Sequence, residues 1–170
     1  MPLKRLFGRA PADPAPHLDA PPAHDPASLR DSLASLVRRV NRNAGRLPVG
    51  AVPEIREVAD RLFELLDHAE RVTATGGGID TYAMTTIAST VTDYLPTSVE
   101  SFLTLPESFL EAHVNDDGQT PAEELLEHLE LMEKGVEDLA NAIYSGDAQR
   151  LEIQGRFLDT KFSKSDLDLS

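Results

Sequence analysis

From residue 55 to residue 72 the apolar side chains Ile55, Val58, Ala59, Leu62, Leu65, Leu66, Ala69 and Val72 recur three or four positions apart along a helical stripe. At 3.6 residues per turn this spacing gathers all of them on one stripe of an α-helix, whereas a strand would split them between two faces. A stripe five turns long has to be covered. The chain supplies a second one of similar length, Leu125, Leu126, Leu129, Met132, Val136, Leu139, Ala140 and Ile143. Both stripes are heptad-like, so helix-on-helix packing with coiled-coil-like contacts is the expected solution.

The remaining segments read the same way. Ser28 with Asp31 three residues on suggests a capping box that opens a first helix, and Leu29, Leu33, Leu36, Val37 and Val40 form its face. Gly45 and Pro48 mark its end. Pro53 suits the first turn of the second helix, and Gly76-Gly77-Gly78 terminates it. Asp80 can cap a third helix with Tyr82, Ala83, Ile87, Val91, Tyr94 and Leu95 as its apolar positions. Thr and Ser crowd this helix, so packing must hold what propensity does not, and Pro96 is expected to break or kink it. Val99, Phe102 and Leu103 resume as a short helix, and Phe109, Leu110 and Val114 suggest a further turn or two. Thr120-Pro121-Ala122-Glu123 has the cap, the Pro and the Glu of a helix start. A last helix runs from about Ala148, with Leu151, Leu158 and Phe162 inward. No segment alternates with period two over a useful length. The expected fold is all-α, an antiparallel bundle of about four to five helices behind a disordered Pro-rich N-terminal arm.

Four regions follow: a basic-apolar peptide at 1–10, a Pro-rich linker at 11–26, the helical bundle at 27–163 and a polar tail at 164–170. The linker alternates Pro with Ala and Asp, a composition that favours extended polyproline-type chain. With 41% hydrophobic residues, the rest can build a core. Cysteine is absent, which removes disulfide and thiolate chemistry and fits a reducing compartment. No apolar run approaches the roughly 18 residues of a spanning helix, and no secretory apolar stretch follows the basic start. A cytoplasmic protein is expected, peripheral at the inner face of the plasma membrane if its N-terminal peptide engages lipid.

The net charge of −13 argues against nucleic acid, although Arg38, Arg39, Arg42 and Arg46 lie close together on one helix. Glu64-Leu65-Leu66-Asp67-His68 and Glu124-Leu125-Leu126-Glu127-His128 repeat a Glu-x-x-x-His spacing. Dimetal bundles use Glu-x-x-His with both side chains inward, so a solvated shoulder is the reading here. Asn115-Asp116-Asp117-Gly118 fails the EF-hand pattern, and Gly76-Gly77-Gly78 has neither the preceding strand nor the following Lys-Ser/Thr of a phosphate loop. No catalytic, metal or cofactor residues are assigned, and no cofactor is expected. The most suggestive short element is Leu3, Lys4, Arg5, Leu6, Phe7 and Arg9. One or two helical turns would group its apolar side chains beside its cations, the chemistry of an interfacial anchor or of a docking peptide.

The segment Asp93-Tyr94-Leu95-Pro96-Thr97-Ser98-Val99-Glu100-Ser101-Phe102 resembles the central signature of the family named for 5-bromo-4-chloroindolyl phosphate hydrolysis, which is discussed beside the toxic-anion (tellurite) resistance proteins. The order of elements over residues 55–162 is similar too. Leu151 to Phe162, which contains Arg156-Phe157-Leu158-Asp159-Thr160-Lys161-Phe162, resembles actinobacterial proteins that share the Tyr-Leu-Pro segment. The chain departs from the family at Asp93, where a second Tyr is usual, and at acidic Glu100, where a Lys-rich helix begins. The resemblance implies membrane-linked stress or anion resistance, singles out Tyr94, Leu95 and Pro96, and carries no catalytic residue over. Three functions are expected to compete. The first is a non-enzymatic interaction or adaptor module recruited through residues 1–10. The others are a metal-dependent or phosphate-ester factor and a homo-oligomeric scaffold. A protein partner or self-association is expected, with weak peripheral membrane contact and no nucleic acid.

Overall fold

Asp25, not Ser28, opens the first helix of the computed structural model, which describes residues 24–163. Expectations on residues 1–23 and 164–170 lie outside the described residues. The Asp25 carboxylate accepts from the Ser28 amide at 3.0 Å, and Pro26 takes the first helical position of α1 (Pro26–Arg42). The bundle therefore starts inside the segment read as linker. The reason is local: proline at that position loses no helical hydrogen bond and arrives with its backbone angle already helical.

A 3₁₀ turn, Ala44–Arg46, leads to α2 (Ala51–Ala74). The glycine run ends α2 as expected: Gly76 sits at φ +80°, its N–H donates to the Thr73 carbonyl, and the Gly77 N–H donates to that of Val72. Then come α3 (Thr81–Ser89), a π-helical turn (Thr90–Tyr94), α4 (Leu95–Leu103), short α5 (Glu107–Ala112), α6 (Pro121–Ser145) and α7 (Ala148–Phe162). Asp80 caps α3, and Thr120 with Glu123 forms a complete capping box on α6. No strand is present among the described residues, and none of the described helices is long and apolar enough to cross a membrane.

Pro96 does not break the third helix. The chain passes from α3 into α4 as one rod, with the π-turn placed immediately before the proline. In an α-helix the Pro96 ring would press on the Thr92 carbonyl, and widening the turn by one residue relieves that contact. The Leu95 N–H donates to the Thr90 carbonyl five residues back. The Thr and Ser residues that weaken propensity satisfy themselves: the Thr86, Thr90 and Ser98 hydroxyls are buried, and each donates to the carbonyl four residues earlier.

Five long elements, α1, α2, the α3–α4 rod, α6 and α7, each reverse the direction of the one before. Arg30 near the start of α1 pairs with Asp67 near the end of α2, and Arg56 near the start of α2 donates to the Asn41 side chain at 2.6 Å. Helices two apart in this order run parallel. Along α2 and α6, Gly50 meets Leu126, Arg61 reaches Glu137 and the His68 ring meets Tyr144, each pair 76 positions apart. The elements close into a ring: α1 on α2, α2 on α6, α6 on α7, α7 on α3, and the π-turn back on α1.

The two stripes meet inside this ring. Ile55, Leu62, Leu66, Leu129, Met132 and Val136 have no exposed surface, so these faces cover each other within one chain. Two glycines let helices approach: a Cβ on Gly135 would fall 2.6 Å from the Leu158 side chain, and one on Gly155 would fall 2.2 Å from the Tyr82 ring.

Candidate interaction groove

The π-turn leaves its mark on a groove between α1 and the rod. Ser32, Leu36, Arg39 and Arg42 line one wall, and Val91, Thr92, Pro96 and Glu100 line the other, around a volume of about 480 Å³. In a regular helix the Val91 carbonyl would accept from the Leu95 N–H and the Thr92 carbonyl from residue 96. The Leu95 N–H goes to Thr90 instead, and proline has no N–H. Two groove-wall residues thus carry carbonyls without their α-helical donors. Leu36 and Val91 are buried at the floor, Thr92 and Arg42 are exposed, and Pro96 is half-buried.

Arginines stand along the α1 wall. Arg39 pairs with Glu100 across the groove, Arg38 donates to the Ser35 hydroxyl, and Arg46 donates to the Leu103 carbonyl at 2.7 Å, closing the C-terminal end of α4. Arg42 has no ion-pair partner among the described residues. Of the four arginines, Arg39 and Arg46 are thus committed to the rod, and Arg39 and Arg42 line the groove.

The Tyr-Leu-Pro segment divides at this point. Pro96 belongs to the groove, while Tyr94 and Leu95 are core. The Tyr94 hydroxyl donates to the Asp159 carboxylate at 3.1 Å, and its ring lies 6.2 Å from that of Phe162 on α7. Burial pushes the phenol above its ordinary pKa, and Asp159 adds to the shift. Leu95 has no exposed surface. Two of the three motif residues therefore hold the rod against its neighbours. The peptide Leu3, Lys4, Arg5, Leu6, Phe7 and Arg9 lies outside the described residues.

The two histidines do not converge. His68 stands level with Tyr144, and His128 lies 16 positions earlier on α6, roughly 24 Å away along the axis at 1.5 Å per residue. One metal cannot bridge them. His128 is half-buried with its ring edge-on to Phe162 at 4.7 Å, and burial, seconded by Lys161, lowers its pKa. No group of three or more His, Asp or Glu side chains among the described residues could hold a metal.

Two further features lie apart. A cleft of about 290 Å³ at the far end of the bundle is walled by Val72, Ile79, Ala83, Ile143 and Leu151, with His68 at its rim. Along the α2–α6 seam, the parallel register brings Glu57, Glu64, Glu133 and Glu137 together around Arg61. Glu54 Oε2 is buried there and meets no donor among the described residues. Burial raises the pKa values of Glu54 and Glu133, and neighbouring glutamates raise them further.

Sequence reading missed the groove, because Ser32, Thr92 and Glu100 join the arginines only when α1 and the rod lie side by side. The local signals were the arginine cluster on α1 and a Thr-rich helix running into a proline. The features together define an up-and-down five-helix bundle with an arginine-walled groove beside a π-turn. Compared with protein-family models, curated proteins and solved structures, the chain matches none.

Proposed function

We propose that this chain is a non-enzymatic helical interaction module, docking an extended acidic-apolar segment in the α1–rod groove and recruited through residues 1–10. The observation that carries the reading is the groove itself, with Arg39 and Arg42 on one wall and, on the other, the π-turn residues Val91 and Thr92, whose carbonyls lose their α-helical donors. An extended peptide brings backbone N–H groups for such carbonyls, apolar side chains for Pro96, and carboxylates for Arg39 and Arg42.

A fluorescent peptide of alternating Asp and Leu, titrated into the protein, tests the groove. Saturable binding that is lost in the Arg39→Glu, Arg42→Glu double variant supports the reading, and non-saturable binding sinks it. Residues 1–10 are tested by co-sedimentation with anionic vesicles, comparing the full chain with a form that starts at residue 11. Recruitment predicts pelleting of the full chain alone, and equal pelleting of both removes that half of the proposal.

A further inference from the structure

We infer that a pocket between the 3₁₀ turn and α5 binds a free α-amino acid with an apolar side chain. The site is separate from the α1–rod groove, and the groove reading does not bear on it. Arg46 of the turn, Phe102, Leu103 and Leu105 at and after the end of α4, and Glu107 and Leu110 of α5 line it. Its volume of about 380 Å³ lies at the small end of the range for ligand sites, about 300–1,000 Å³, which suits one amino acid better than a peptide. α5 supplies the way in. It contributes no buried residue, and its backbone hydrogen bonds among the described residues stay within 106–113. Such a segment opens with little loss of contact, so it can admit a ligand and close over it.

The lining sorts by chemistry. Phe102 is buried, and Leu103, Leu105 and Leu110 are half-buried against the core, so together they make an apolar wall. Arg46 and Glu107 are exposed at its edge and carry opposite charges. They form no ion pair with each other, and neither has another ion-pair partner among the described residues. The Arg46 guanidinium is steadied by the bond to the Leu103 carbonyl at 2.7 Å, which leaves the rest of its N–H fork for a ligand. A cation, an anion and an apolar wall around one small cavity are complementary to a zwitterion. Its carboxylate goes to Arg46, its ammonium to Glu107 and its side chain to Phe102 and the leucines. An apolar acid would set its carboxylate beside Glu107 with no ammonium between, and an apolar amine would do the same beside Arg46. Only the zwitterion answers both charges.

The test is calorimetric titration of the full-length protein with L-leucine and with L-phenylalanine. Saturable binding of at least one is expected. N-acetyl-L-leucine, L-leucinamide and glycine should each bind about tenfold weaker or worse, because each lacks one of the three contacts. Glu107→Gln should weaken L-leucine about tenfold and leave N-acetyl-L-leucine unchanged, since only the first brings an ammonium. Glu107 is the residue to vary because it is exposed, whereas Arg46 also closes the end of α4. Backbone NMR signals of Arg46, Leu105 and Leu110 should move on saturation. The site is overturned by absence of saturable binding, by N-acetyl-L-leucine binding as tightly as L-leucine, or by undiminished affinity in Glu107→Gln. Arg39 and Arg42, on which the groove reading stands, line no part of this pocket, so none of these outcomes decides that reading.

Discussion

The Tyr94 hydroxyl donates to the Asp159 carboxylate at 3.1 Å, tying the last residue of the π-turn to α7, 65 positions away in sequence. Nothing local to either residue foreshadows the bond. Removing the hydroxyl in Tyr94→Phe keeps the ring against Phe162 and leaves Asp159 to solvent. The expected cost is about 0.5–1.5 kcal/mol, and Asp159→Ala combined with Tyr94→Phe should add less than it does alone. Urea denaturation of the parent, the two single variants and the double variant measures the coupling; additive effects would mean that the bond contributes nothing.

Gly135 and Gly155 both sit where a Cβ would collide, yet their substitutions should differ. Gly135→Ala pushes on Leu158, which has no exposed surface and no room to yield. Gly155→Ala pushes on the Tyr82 ring, 41% exposed and free to swing outward. The first is expected to cost about 1–3 kcal/mol and the second clearly less. Thermal melts decide, at roughly 2–4 °C per kcal/mol for a chain of this size.

Asp25 and Ser28 compete for the role of α1 cap, and the geometry gives it to Asp25. Asp25→Ala should destabilise by about 1 kcal/mol, while Ser28→Ala should stay within about 0.5 kcal/mol. The reverse ranking in denaturant melts would return the helix start to Ser28.

The α2–α6 seam predicts a pH dependence with a definite sign. Glu54 and Glu133 titrate above their ordinary value because of burial and neighbouring glutamates, so folding favours their protonated forms. That contribution is full below the ordinary glutamate range and is lost as pH rises through the raised values. Glu54→Gln and Glu133→Gln should therefore raise Tm at pH 7, with the gain shrinking toward pH 4. His128 acts in the opposite sense, its lowered value costing stability as pH falls, but it is common to all the proteins compared. A glutamine variant less stable than the parent at pH 7 would refute the seam's repulsion.

Much of the fold was legible because its information is local. The two long stripes, the glycine stop after α2, the Asp80 cap and the Thr120–Glu123 capping box each depend on residues within one or two turns of one another. The helix start slipped from Ser28 to Asp25 because both are good caps and proline's preference for the first helical position decided between them. Pro96 reads as a break or a kink in the sequence because nothing there states that a helix can widen by one residue and continue. The candidate site was almost illegible. Arg39 and Glu100 are 61 positions apart, and Val91 loses its α-helical donor to a hydrogen bond that Leu95 makes with Thr90.

By itself, then, the sequence determined that this chain is helical, where most helices stop and which faces are apolar, since spacing at 3.6 residues per turn and end-capping chemistry act over a few residues. Only the tertiary structure decided which helices become neighbours, and with that the parallel α2–α6 register, the acidic seam and the arginine-walled groove. Apolar stripes are interchangeable in kind, and which pair meets is set by glycines that admit a close approach and by the energy of the whole ring.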